Sequence, residues 1–430
     1  MFRLMLNRSL AYAKLTKAAA NPTKPITKIT PFKAKRRLRK FLGSAFLAGV
    51  GLMVYSSEFN NKIKLTYEPT PKNKFIINSS KTLTEEYRGT FYLPFGILEG
   101  LFSARIESSP QINTIEDKIL LKDGDHLDIE WTELDTTSDE NNKIAIFLGC
   151  INGSPSNSTY VKHTLQGLHR GGFRGVLCHY RHHKLEPDYP KPKGFMSYGD
   201  MTDINALVDH VHQKYPQASI YLVGLFMGGN MWYRWLPENK DREYIKALFT
   251  VGAPFSVQDS MKKLSSIQHR VEAMAIAPAL IDFAEVYRDL CKEKGIDIDW
   301  DRVKKCTTPE CVGRNFRYPV YIQTRGIEKS ELSFEEYIAR SDATNLIPKI
   351  SIPTMILNTR NDPTLDVRTI PWKELRSNSN VIHVLGDRGY HIEYMTGNDR
   401  ERWYKRVMTD FFNGVHNFDH LSSVEIRGEL

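Results

Sequence analysis

The amino-acid sequence predicts an α/β fold with a mostly parallel central sheet and helices on both of its faces. From about Lys143 onward, apolar runs of five to eight residues alternate with segments of helical periodicity. Unbroken apolar runs are typical of strands buried on both faces, and their alternation with helices indicates a parallel sheet. Because 41% of the 430 residues are hydrophobic and 25% are charged, the chain can bury the core that this fold needs.

The successive elements follow from these runs. The predicted strands, in chain order, are KIAIFLGC, FRGVLCHY, ASIYLVGL, YIKALFTVGAP, IPTMILNTRNDP and NVIHVLGDRGYH. The predicted helices between them are YVKHTLQGLHRG, DMTDINALVDHVHQKYP and the segment Asn230–Leu236.

Two regions break the alternation. Residues 60–140 are less regular and predict antiparallel hairpins at the start of the sheet. Residues 255–340 are mainly helical with a cysteine-bearing loop, which predicts a lid or insertion. We therefore expect one domain over residues 60–430, with the lid inside it.

The first 40 residues form a basic arm. Residues 1–57 contain twelve Lys and Arg and no Asp or Glu, and four apolar residues among the first 13 share one helical face. Such a segment is typical of mitochondrial targeting, although the basic tail of a signal anchor is an alternative. The rest of the chain holds 47 basic and 50 acidic residues, so we expect no nucleic-acid partner.

Residues 41–59, FLGSAFLAGVGLMVYSSEF, predict a transmembrane helix at the short end of the usual length. A cleaved sorting signal and a buried core helix are the alternatives. The basic cluster just before the segment places the N-terminus in the matrix and the main domain in the intermembrane space. Ser44 with Ala48, and Ala45 with Gly49, favour the close approach of a partner helix.

The stretch LVGLFMGGN has the glycines of a nucleophile elbow, the sharp strand-to-helix turn G-x-S-x-G. Phe226 occupies the position of the serine. A phenyl ring has no lone pair with which to attack a carbonyl, so we expect it to fill an apolar cleft and close the pocket.

The segments LVGLFMGGNMWYRWL, SFEEYIARSDATNLIPKISIPTMILNTRNDP and GDRGYHIEY resemble motifs of the α/β-hydrolase superfamily. Within it, they resemble the membrane-anchored abhydrolase-domain lipid esterases and the bacterial YheT-like proteins. The resemblance covers roughly residues 85–415. It implies an α/β-hydrolase fold, a triad acid at Asp362 and a triad base at His391. The elbow of that family is normally G-F-S-L-G-G-N, so Phe226 replaces its nucleophile.

The resemblance also implies where the oxyanion hole lies, namely at the backbone amides of Cys150 and Met227. Here the His-Gly pair of the family is replaced by Gly149-Cys150, and its Arg-Gly pair by Arg181-His182. Changes in several catalytic loops indicate that selection for the chemistry is relaxed. Cys150 is a potential substitute nucleophile, since thiolates attack carbonyls readily. Its loop is expected to aim it at the oxyanion side, away from the elbow.

We expect no metal and no cofactor. The cluster CHYRHHK holds Cys178, His179, His182 and His183, but neighbouring residues on a strand point to opposite faces and few of these can converge. The two cysteines of KKCTTPECVG are either free or bridged to each other, and a bridge implies an oxidising compartment.

Together these features predict a catalytically inactive accessory or structural subunit of a mitochondrial inner-membrane complex. Because the predicted location is the mitochondrial inner membrane, we expect that this complex belongs to the respiratory chain. The expected partners are other membrane-protein subunits, reached through the transmembrane helix and the arm, and membrane lipids. The alternatives are an active lipid esterase, acting on acylglycerols or phospholipids with an atypical nucleophile, and a lipid-binding module without turnover.

Overall fold

A mixed sheet of nine strands runs through the described part of the chain. In the order of the sheet, the strands are β2 (Thr114–Leu120), β3 (His126–Thr132), β5 (Arg174–Cys178), β4 (Lys143–Leu148), β6 (Ser219–Leu225), β7 (Ile245–Val251), β8 (Thr354–Thr359), β9 (Val381–Gly386) and β1 (Ile63–Tyr67). Six neighbouring strands pair in parallel, in the order β5, β4, β6, β7, β8 and β9. Strand β3 is antiparallel to both of its neighbours, and β1 is antiparallel to β9. This order, with its antiparallel second strand, is that of the α/β-hydrolase fold, with β1 added at the far edge. The fold class expected from the sequence is therefore confirmed.

The computed structural model describes residues 49, 51, 62–85, 87–90, 99–100, 102–103, 109–133, 142–150, 158–182, 189–196, 201–397 and 401–427. The basic arm, nearly all of the predicted transmembrane segment 41–59, and His183 lie outside these residues. None of the helices within them combines the length and the apolar character needed to cross a membrane.

The strands are β1 (Ile63–Tyr67), β2 (Thr114–Leu120), β3 (His126–Thr132), β4 (Lys143–Leu148), β5 (Arg174–Cys178), β6 (Ser219–Leu225), β7 (Ile245–Val251), β8 (Thr354–Thr359), β9 (Val381–Gly386), β10 (Met395–Thr396) and β11 (Glu401–Arg402). The helices are α1 (Pro71–Ser79), α2 (Lys81–Thr84), α3 (Thr159–Arg170), α4 (Thr202–Lys214), α5 (Met227–Trp235), α6 (Val257–Leu264), α7 (Arg270–Glu285), α8 (Arg288–Glu293), α9 (Trp300–Lys304), α10 (Pro309–Val312), α11 (Tyr318–Gln323), α12 (Phe334–Ala339), α13 (Trp372–Arg376) and α14 (Trp403–Arg427).

The core has a layer on each face of the sheet. Along β4, Ile144 and Ile146 pack into the layer that α4 and α5 cover, whereas Ala145 and Phe147 pack into the layer that α3 and α14 cover. Successive side chains of a strand point to opposite faces, so both sets are apolar because both faces are covered. This is why the central strands read as unbroken apolar runs.

The helices α6 to α12 lie between β7 and β8, in the interval where the sequence predicts an insertion. They enclose a small core of their own that includes Tyr287 and Phe316. Cys306 and Cys311 form a disulfide with an S–S distance of 2.04 Å, which resolves the alternative that the sequence leaves open.

Candidate active site

The elbow follows the carboxyl end of β6, where Phe226 turns the chain directly into α5. Phe226 has φ 52° and ψ −115°, and its backbone N–H donates to the carbonyl of Val251 at 3.0 Å. A side chain larger than hydrogen is uncommon at positive φ, and such a conformation costs about 1–3 kcal/mol. The chain therefore retains the strained turn of a nucleophile elbow although the nucleophile is absent.

The glycines of the elbow are required by the close approach of backbones. A Cβ on Gly224 would lie 2.5 Å from the backbone of Gly229, and one on Gly228 would lie 2.2 Å from the carbonyl oxygen of Leu148. Neither contact can be relieved by the rotation of a side chain, because the opposing atoms belong to the main chain. The glycines are thus explained by the packing of α5 against the sheet, without reference to catalysis.

Asp362 and His391 come together beyond the ends of β8 and β9. Asp362 is fully buried, and its Oδ2 lies 2.9 Å from Nδ1 of His391. Its other carboxylate oxygen accepts hydrogen bonds from the backbone N–H and the hydroxyl of Thr364, both at 2.7 Å. Lys263 of α6 donates to the main-chain carbonyls of Asp362 and Leu365, so the insertion holds the acid loop in place.

The phenyl ring of Phe226 packs against the imidazole of His391. The ring centroids are 4.8 Å apart and the ring planes meet at 78°, an edge-to-face contact. Phe226 is partly buried, and the His391 side chain is 17% exposed. The base and acid of a triad are therefore assembled at the elbow, with a hydrocarbon in place of the hydroxyl.

Sequence comparisons find related proteins over most of the chain. The protein abhd-3.2 of Caenorhabditis elegans is 24% identical over 365 residues, which are 82% of this chain and 91% of that protein. Phospholipase ABHD3 of Homo sapiens is 22% identical, over 87% of this chain and 93% of its own length. The protein YheT of Escherichia coli (strain K12) is 23% identical, over 70% and 83% of the two chains. No family model matches the chain.

The chain has the α/β-hydrolase fold, and over most of its length it is similar in sequence to these proteins of the α/β-hydrolase superfamily. Among solved structures, an esterase of Pyrococcus furiosus, PF2001, is 16% identical over 72% of this chain and 95% of that chain, with a TM-score of 0.44.

The electrostatics of this α/β-hydrolase site favour a protonated histidine. Burial by itself would lower the pKa of His391, but the carboxylate of Asp362 and then the side chain of Cys150 outweigh it and raise that pKa to about 10. The pKa of Asp362 is lowered, because the attraction and hydrogen bonds of His391 and Thr364 outweigh its burial. At neutral pH the two side chains form a buried ion pair.

The hydroxyl of Tyr160, on α3, lies beside the loop that follows β4. A Cβ on Gly149 would lie 3.6 Å from that hydroxyl oxygen. Burial, followed by the proximity of Cys150, raises the pKa of Tyr160 well above its ordinary value, so the hydroxyl keeps its proton. Met227, the other residue expected at the oxyanion hole, begins α5.

Cys150 is a free, partly buried cysteine on the loop after β4, and it packs with Tyr160 against the core layer that α3 and α14 cover. The orientation that the sequence analysis expects for its side chain stays a prediction.

Two histidines of CHYRHHK, His179 and His182, are each engaged by a carboxylate. His179 Nε2 lies 2.7 Å from a carboxylate oxygen of Glu130, and His182 Nε2 lies 2.8 Å from one of Asp125. Arg181 donates to both carboxylate oxygens of Asp203, at 2.7 and 2.6 Å. Within the described ranges, no group of three or more His, Cys, Asp or Glu side chains is placed to hold a metal ion.

Two cavities of the described part lie away from the Asp–His pair. One, of about 630 Å³, is lined by residues that include Arg170 and Lys405, and the other, of about 20 Å³, lies beside Met231. Neither is lined by Phe226 or His391.

Proposed function

We propose that the protein is a catalytically inactive α/β hydrolase that serves as an accessory subunit of a mitochondrial inner-membrane complex, with the respiratory chain as its natural host. The observation that carries the proposal is Phe226 at the apex of an otherwise preserved elbow, in contact with the imidazole of His391. Loss of a triad nucleophile removes about 10⁶ in rate, and the remaining site offers His391 no hydroxyl to deprotonate at the elbow.

The location rests on the N-terminal sequence and is supported by the disulfide. The acid-free arm and the apolar segment 41–59 favour a single-pass protein of the inner membrane, with the N-terminus in the matrix and the main domain in the intermembrane space. The bridge between Cys306 and Cys311 fits an oxidising compartment better than a reducing one.

The names of the relatives indicate which esters should be used to test whether the protein is inactive. Two of them are named phospholipase ABHD3 and monoacylglycerol lipase ABHD2, so phospholipids and monoacylglycerols are the esters to offer. We expect the full chain, purified in mild detergent, to show no turnover of these esters and no labelling by a fluorophosphonate probe. Robust labelling, or turnover that survives repeated purification, would refute the proposal that the protein is catalytically inactive.

Assembly is tested by native electrophoresis of solubilised mitochondrial membranes. We expect the protein to migrate in a large complex, and migration alone at its monomer mass plus detergent would refute the subunit proposal. Ala45→Ile places a bulky side chain on the small-residue face and should release the protein from the complex while leaving it in the membrane. Leu47→Ile is the matched control, because it adds no bulk and lies outside that face.

A further inference from the structure

The larger cavity of the described part, of about 630 Å³, lies between the end of α3 and the beginning of α14. Among its described lining residues, Arg88, Arg170, Lys405 and Arg406 carry a positive charge, and Glu401 carries a negative one. A cavity of this size is in the range of small-molecule sites. The excess of positive charge indicates an anionic ligand.

Close packing of the two helices gathers these charges. A Cβ on Gly167 of α3 would lie 2.7 Å from the Cβ of Lys405, an atom that no side-chain rotation can move. The end of α3 therefore lies directly against the first turn of α14. As a result, Nη1 of Arg170 lies 3.4 Å from one carboxylate oxygen of Glu401, and Nζ of Lys405 pairs with the other.

The carboxylates of the site do not balance its positive charge. Arg406 Nη1 lies 3.6 Å from a carboxylate oxygen of Glu85, and such exposed pairs are weak. Even with Glu85 counted, four basic residues meet two carboxylates in the described part of the site. Lys405 is 3% exposed, and burial lowers the pKa of its ammonium group in spite of its hydrogen bond to Glu401. An anion in the cavity would favour the charged form of this buried group.

The ends of the two helices also favour an anion. Helix α14 begins at Trp403, in the wall of the cavity, and the first N–H groups of a helix give its N-terminus a partial positive charge. The end of α3 would have the opposite effect, but its last carbonyls are occupied. Those of Gly167, Leu168 and His169 accept hydrogen bonds of 2.9–3.0 Å from the three residues that follow the helix.

We propose that this cavity binds the phosphate group of an organic phosphate, either the headgroup of an acidic phospholipid or a soluble phosphate ester. The inference goes beyond the proposed function, because it assigns a ligand to α3 and α14 and not to the elbow. Three of the four basic residues are arginines, whose planar guanidinium groups pair with two phosphate oxygens at once. The volume exceeds that of a phosphate ion, which leaves room for the group esterified to it.

The test uses the full chain in a neutral detergent. Isothermal titration measures the binding of glycerol 3-phosphate, and native mass spectrometry counts the molecules of phosphatidylglycerol or phosphatidylcholine retained from mixed micelles. Both lipids contain a phosphate diester, but the choline cation is repelled by the basic lining. We therefore expect one bound phosphatidylglycerol or one bound glycerol 3-phosphate per chain, and less phosphatidylcholine. Binding of the lipid alone identifies a headgroup as the source of the phosphate, and binding of glycerol 3-phosphate alone identifies a soluble ester.

The variants remove one guanidinium group at a time. Arg170→Gln and Arg406→Gln should each weaken binding about 10–100-fold, as expected for the loss of a charge-assisted hydrogen bond to phosphate. Their side chains are 62% and 49% exposed, so the melting temperature should not change. Lys162→Gln is the matched control, because Lys162 is a basic residue of α3 that does not line the cavity.

The proposal is overturned if neither phosphatidylglycerol nor glycerol 3-phosphate binds. It is also overturned if the correctly folded arginine variants bind as tightly as the wild type, or if Lys162→Gln weakens binding as much as they do. None of these measurements depends on ester turnover or on assembly into a complex. Failure of the phosphate site and failure of the proposed function are therefore distinguished.

Discussion

Returning serine to position 226 should restore an esterase that works mainly at alkaline pH, and the reason lies in the charge of His391. Phe226→Ser places a hydroxyl at the apex of the elbow, within the site where Phe226 now contacts His391. The Asp362–His391 pair is already aligned at 2.9 Å, but burial is outweighed by the carboxylate of Asp362, which raises the pKa of His391 to about 10. A protonated imidazole cannot accept the hydroxyl proton, so the rate should rise as pH approaches about 10.

The size of the effect follows from the nucleophile and the base. Restoring a triad nucleophile is worth up to about 10⁶ in rate. Because the pKa of His391 is raised to about 10, only about one molecule in 10³ holds a neutral imidazole at pH 7, so Phe226→Ser should be about 10²–10³-fold faster near pH 10 than at pH 7. Adding Asp362→Asn removes the carboxylate that orients His391 and should lower the maximal rate by about 10⁴.

The assay is the hydrolysis of a short-chain p-nitrophenyl ester by full chain in detergent, with active serine titrated by a fluorophosphonate. The rates are measured from about pH 7 to 10, with the rate without protein subtracted. The control is Phe226→Ser combined with Tyr233→Phe, which removes a buried hydroxyl, bonded at 2.6 Å to Thr250, and should leave the pH profile unchanged. Equal rates at pH 7 and 10, or equal rates with and without Asp362→Asn, would refute the roles of His391 and Asp362. A loss of about 2 kcal/mol in folding stability is expected from the truncated, partly buried phenyl ring, so melting curves must accompany the rates.

The remaining predictions concern stability. The pKa of His391 is raised, so its charged form contributes to the free energy of unfolding. This contribution is fully present below the ordinary pKa of 6.5 and is lost as pH rises through about 10. The pKa of Asp362 is lowered, so its contribution to the free energy of unfolding is present above about pH 4 and lost as pH falls. In urea unfolding, Asp362→Asn should therefore destabilise the protein most between about pH 4 and 6.5. A destabilisation that is the same from pH 4 to 10 would contradict the ion pair. Gly228→Ala should cost about 3 kcal/mol, since its Cβ would meet a main-chain carbonyl at 2.2 Å. The control is Gly414→Ala, in the interior of α14, where an added Cβ would have its nearest contact at 3.4 Å. In thermal melting it should be neutral or slightly stabilising. Equal effects of the two substitutions would contradict the close approach at the elbow.

The sequence was sufficient for those features that depend on local pattern. The strands β4 to β9 and their helices could be predicted, because burial on both faces imposes apolar runs that are visible residue by residue. The pairing of Asp362 with His391 was implied by the resemblance of their two loops to those of the α/β hydrolases, and the structure brings the two side chains to 2.9 Å. The edge strand β1 and the pairing of β2 with β3 were foreseen only as unspecified hairpins, because their partners are distant in the chain or their faces less apolar.

The contacts that decide the chemistry were beyond the reach of the sequence. That the elbow lacks a nucleophile is evident from one residue, because phenylalanine has no reactive atom in any fold. That the phenyl ring of Phe226 packs against the imidazole of His391, and that Asp362 lies 2.9 Å from the same imidazole, depends on how the elbow and the loops after β8 and β9 pack together. Composition and spacing determined the framework and the missing hydroxyl, since both are local properties. The tertiary structure alone decided which side chains occupy the vacated site, since their convergence depends on the packing of elements that are far apart in the chain.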